Sequence, residues 1–211
     1  MKIVLDKSQG DEPQKIFESI NSIGLELNLA DLIRNYLLMD DDDQDNLYEN
    51  YWLVIEKNVG YSNLGDFVIN YLNSKITASV KEKNAYRLFK EHCIKNNLSH
   101  ETVLKDLCRT SKYYGAFIGI NDYYGKNIYT CLNAIYSIKQ TTILPLLFKM
   151  FDDYEEKRIN SKTLCNVLDY LLTYLVKITA CEINKNLNKF FKSMYDRVIS
   201  VRNYDIIMRD L

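Results

Sequence analysis

Glycine and proline are scarce in this 211-residue chain, at 7 and 2 residues. They are the main interrupters of regular structure, so their shortage speaks against a β-sandwich or barrel and for long helices with few tight turns. Histidine is scarcer, at 2 residues, His92 and His100. Nucleophilic hydrolysis needs a base that takes a proton near neutral pH, so no serine or cysteine has an evident partner and no catalytic residue is expected. His92 beside Cys93 hints at a metal, but no second ligand pair has usable spacing, so none is expected. No GxGxxG or Walker loop is present, which removes the usual phosphate cradles, and no cofactor is expected. No apolar run approaches the roughly 20 residues of a membrane helix. The longest, Ile143–Met150, contains Pro145 and Lys149, so no membrane partner is expected. The formal net charge of −1 gives no global pull toward nucleic acid, and any such contact must be local. The cysteines Cys93, Cys108, Cys131, Cys165 and Cys181 form no CxxC pair and follow no secretory segment, which reads as a reducing cytoplasm.

What is present is ordinary globular material, 47% hydrophobic and 26% charged. The one convincing strand is Lys2–Leu5, ended by a Ser8-Gln9-Gly10-Asp11 turn cluster. A helix follows from Asp11, with Pro13 in its first turn, Ile16, Phe17 and Ile20 at helical spacing, and Gly24 as its stop. Asn28 reads as the next N-cap, with Asp31 near the positive helix end and an apolar face of Leu29, Leu32, Ile33, Tyr36 and Leu37. The run Asp40–Asp43 with Asp45 reads as a solvated helix start; as a Mg²⁺ or Ca²⁺ loop it lacks the EF-hand glycine and closing glutamate. Apolar periodicity predicts further helices over Leu47–Val59, Asn63–Asn73, Val80–Lys95, Ser99 to Ile120, Lys126–Lys139, Thr142–Tyr154, Ser161–Cys181 and Asn184–Val201. The expected fold class is all-α, a multi-helix domain of about nine or ten helices with one short N-terminal β-strand.

The segment Lys177–Arg197 interleaves Lys177, Lys185, Lys189, Lys192 and Arg197 with Asn184, Asn186, Asn188 and two phenylalanines. Basic and amide side chains on one helix can follow a phosphate backbone, which makes Lys177, Asn184, Lys185, Asn188, Lys189 and Lys192 the candidate DNA contacts. The bland alternative is a helix whose core is Leu187, Phe190, Phe191 and Met194 and whose lysines are merely its solvated face.

The most specific stretch runs from Pro13 to Asn35 and carries Phe17, Glu18, Asn21, Gly24, Leu27, Asp31, Leu32, Ile33 and Asn35. It resembles the end of the ParB/sulfiredoxin-like N-terminal domain of the GmrSD family of modification-dependent restriction endonucleases, where a Phe-Glu-x-x-Asn helix precedes a glycine turn and an Asp-Leu-Ile helix. Tyr174–Phe191 also resembles that family's helical region, through Asn184, Asn188, Lys189 and Phe190, although Val176-Lys177 stands where the family often has paired arginines. The resemblance implies nucleotide hydrolysis by an upstream Asp-Gly-Gln-Gln-Arg-type motif and DNA cleavage by a downstream His-containing domain, and neither motif occurs here.

The chain therefore reads as a fragment without catalysis of its own: residues 1–39 a remnant of the ParB-like domain, residues 40–211 a helical domain. Its expected partners are the missing N- and C-terminal domains and DNA, and its expected task, as the resemblance implies, is to scaffold the nucleotide-hydrolysing and nuclease domains of a phage-defence protein. A strand without neighbours leaves backbone groups unpaired, which predicts a homodimer through residues 1–11, or the chain's own helices folded over them. The rival reading is a free-standing helical protein-interaction module.

Overall fold

The computed structural model describes residues 27–39, 43–76, 80–183, 186–201 and 204. Among them every regular element is helical. The strand expected at Lys2–Leu5, the Gly24 turn and the pairing expected of residues 1–11 lie outside the described residues. In order, α1 is Leu29–Leu38, and α2 runs through Gln44–Leu47, a π-helical turn Tyr48–Trp52 and Leu53–Val59. Then come α3 (Leu64–Lys75), α4 (Glu82–Lys95), α5 (His100–Phe117), α6 (Lys126–Ser137), α7 (Leu144–Glu155), α8 (Ser161–Ala180) and α9 (Leu187–Val201). Short 3-10 turns at Tyr61–Asn63 and Thr141–Ile143 lead into α3 and α7. No described helix is long and apolar enough to cross a membrane.

Helix starts follow from local side chains. Asn28 Oδ1 accepts the Asp31 amide at 2.9 Å, Asn160 Oδ1 the Thr163 amide at 2.9 Å, and Ser99 Oγ the Thr102 amide at 3.2 Å. Each satisfies a donor that the first turn would otherwise leave open. Helix ends use paired backbone bonds instead. After α4, the Leu98 amide reaches the Cys93 carbonyl and the Asn97 amide that of Ile94; after α8, Ile183 reaches Ile178 and Glu182 reaches Thr179. This closure needs a left-handed residue, supplied by Asn97, Lys157 and Glu182 with φ of 49°, 59° and 51°.

The chain divides into two compact units, Met1–Leu72 with Ala78–Cys108, and Asn73–Thr77 with Arg109–Leu211. In the first, α1 packs on α4, and the Tyr36 and Phe89 rings meet edge to face at 6.3 Å. Ile33 and Leu37 bury completely within this unit. Trp52, Ile55, Val59, Phe67 and Tyr71 complete its core. In the second, α6 packs on α8, and α7 on α9. Its core includes Leu132, Ile135, Leu147, Phe151, Leu168 and Phe191.

Candidate functional site

Of the family-like motif, Phe17, Glu18, Asn21 and Gly24 lie outside the described residues, while Leu27, Asp31, Leu32, Ile33 and Asn35 enter or line α1. Ile33 is fully buried, Leu27, Leu32 and Asn35 are half-buried, and the Asn35 carbonyl accepts the Met39 amide at 2.8 Å. Asp31 is tied on three sides. Its amide donates to Asn28, and its carboxylate accepts the Tyr61 hydroxyl at 3.3 Å and pairs with Arg34 at 3.1 Å. Arg34 also lies 4.0 Å from Glu56, which accepts the Trp52 indole N–H at 2.6 Å. The motif aspartate therefore joins the start of α1 to α2 and to the turn before α3.

Beside this network lies a shallow pocket of about 310 Å³, with Asn28, Tyr61, Ser62, Asp66 and Glu82 among its lining. Its formal charges are the carboxylates of Asp66 and Glu82, which repel phosphate. It does not suit nucleic acid.

The candidate DNA residues sit elsewhere, in the second unit. Lys177 is on the last turn of α8, and Asn188, Lys189 and Lys192 on the first turns of α9, all exposed; Asn184 and Lys185 lie outside the described residues. Asn186 starts α9, its Oδ1 accepting the Lys189 amide at 3.0 Å. Phe191, Met194 and Val198 bury on the opposite face, and Phe190 stacks on Tyr174 at 4.7 Å. One face of the helix is core and the described lysines project to solvent, as the bland alternative expects. Leu187 and Phe190, assigned to that core from the sequence, are half-buried.

One cluster the sequence reading missed is centred on Asp153, only 4% exposed near the end of α7. Its carboxylate pairs with Lys149 and Arg158 and accepts the hydroxyl of buried Tyr204 at 2.7 Å. Burial alone would raise the pKa of Asp153, but the bonds from Lys149, Tyr204 and Arg158 outweigh it and hold the carboxyl below its ordinary value. A signal was available: Asp153 stands three residues after Met150 and seven after Leu146, on the apolar side of its helix. Next to it, Asp152 accepts the Tyr113 hydroxyl at 3.1 Å and lies 3.3 Å from Arg109. Burial raises the pKa of Tyr113, Tyr124 and Tyr204, so these phenols remain protonated donors.

The cysteines are free thiols. Burial pushes Cys93 up to about 11, and burial with the Asp169 carboxylate pushes Cys131 up to about 12, so neither supplies a thiolate near neutral pH. Among the described residues no group of three or more His, Cys, Asp or Glu side chains is placed to hold a metal ion. Nδ1 of His92 lies 3.2 Å from the Asn96 amide, and the His100 ring packs at 5.1 Å from Tyr36.

The described residues thus define a helical protein with a buried polar hub and a lysine-bearing helix connection. No family model, curated protein or solved structure matches the chain.

Proposed function

We propose that this chain is the helical region of a GmrSD-like, modification-dependent restriction protein acting in phage defence. In this reading it is not itself an enzyme: it scaffolds nucleotide-hydrolysing and nuclease domains carried elsewhere and contacts DNA. The observation that supports DNA contact most directly is the α8–α9 connection. Lys177, Lys189 and Lys192 are exposed there, while the opposite sides of both helices are buried. Lysines held on rigid helices and clear of the core are suited to phosphate contact, and they position rather than read sequence.

The reading predicts weak duplex binding that falls with salt, at a log–log slope of about −3 for three phosphate contacts. Replacing Lys177, Lys185, Lys189 and Lys192 together with glutamate should abolish it in a fluorescence-anisotropy titration at low salt. Unchanged affinity would remove these residues as the site. The purified chain should also neither hydrolyse nucleoside triphosphates nor cut DNA; turnover that copurifies with it would overturn the scaffold role. The second reading, a free-standing protein-interaction module, is favoured by the exposed Tyr170, Val176 and Ile183.

A further inference from the structure

We propose that a second copy of this chain docks antiparallel on the outer face of α8, about a two-fold axis at Thr173. With about 100° of turn per residue, Asp169, Tyr170, Thr173, Val176 and Lys177 fall within an arc of about 120°. All five are exposed, and Tyr170 and Val176 keep 47% and 50% of their surface. The pattern is symmetric. Asp169 and Lys177 stand four residues before and after Thr173, and Tyr170 and Val176 three before and after it.

An antiparallel pairing about Thr173 therefore sets Asp169 of each copy opposite Lys177 of the other, twice over. It also lays Tyr170 along the Lys177 stem and beside Val176 of the second copy. A face that is complementary to itself in charge and in apolar surface is what an isologous interface requires. Among the described residues neither Asp169 nor Lys177 forms an ion pair, and Asp169 takes only the Cys131 thiol at 3.0 Å. About three helical turns per copy bury less than the roughly 1,200 Å² of stable interfaces, so the dimer is weak and reversible.

Sedimentation velocity of the full chain should show dimer formation with Kd on the order of 10–100 µM. Lys177→Glu or Asp169→Lys replaces two attractions with two repulsions, and each should weaken self-association about tenfold or more. Mixing the two variants should restore it, because the mixed dimer regains both opposite-charge pairs, a rescue that misfolding cannot imitate. Val176→Glu, with an unchanged circular dichroism spectrum, should also be monomeric. A chain that stays monomeric throughout, self-association untouched by either reversal, or a mixture that fails to pair would overturn the proposal. Because no nucleic acid is present, the result is independent of the DNA reading, which also uses Lys177.

Discussion

Replacing Asp153 with alanine is expected to lower the stability of the protein by about 3 kcal/mol, the low end for breaking a buried charge cluster. The residue is 4% exposed, and its carboxylate serves Lys149, Arg158 and Tyr204 at once. Its removal strands the Tyr204 hydroxyl in a site where that residue is 3% exposed, and an orphaned buried donor costs about 1–3 kcal/mol. Arg158 is half exposed and screened, so its share is small. Tyr204→Phe should cost less, about 1 kcal/mol, because it removes one donor and leaves the two cations in place. The pH dependence has a definite sign. A carboxyl held below its ordinary value adds stability that is present above about pH 4 and is lost as pH falls through the lower folded value. Urea midpoints should therefore fall more steeply between about pH 4 and pH 2 in the parent than in Asp153→Asn. Equal acid sensitivity of the two would show that the cluster adds no net stability.

Trp52→Ala should be the most damaging single change in the first unit, costing about 3–5 kcal/mol. The indole is 1% exposed at the end of the π-helical turn, so truncation loses its apolar burial and leaves a cavity that packed helices cannot fully close. It also removes the donor to Glu56, the carboxylate that faces Arg34 beside Asp31. Trp52→Phe keeps most of the volume and loses that bond, so it should fall between alanine and the parent. Urea unfolding followed by far-ultraviolet circular dichroism measures both, since tryptophan fluorescence disappears with the only tryptophan. An alanine variant within about 1 kcal/mol of the parent would mean the site collapses far more readily than dense packing allows.

Where a side chain caps it, a helix start is legible for a physical reason. Asn28, Ser99 and Asn160 act on amides only three residues away, so the sequence carries the whole interaction. At the C-termini the scarcity of glycine misleads. Asn97, Lys157 and Glu182 enter the left-handed region at a cost that the paired backbone bonds offset, and nothing in a lysine or glutamate announces that role. The helix expected over Lys126–Lys139 accordingly stops at Ser137, with Lys139 at φ 60°. The start expected at Asn184 for the last helix moves to Leu187, because Asn186 is the asparagine that caps it.

Local pattern is enough to give the all-helical character of the described chain, the Asn28-capped helix with its inward Ile33, and the solvent face of Lys177, Lys189 and Lys192. Periodicity and capping operate within one or two turns, so these features need no knowledge of the rest of the chain. Tertiary structure alone decided which helices pair, that Asp31 meets Tyr61, and that Asp153 receives a hydroxyl from Tyr204, 51 residues away. A buried carboxylate must find donors wherever packing brings them. The identity of those donors is fixed only when the helices have chosen their neighbours.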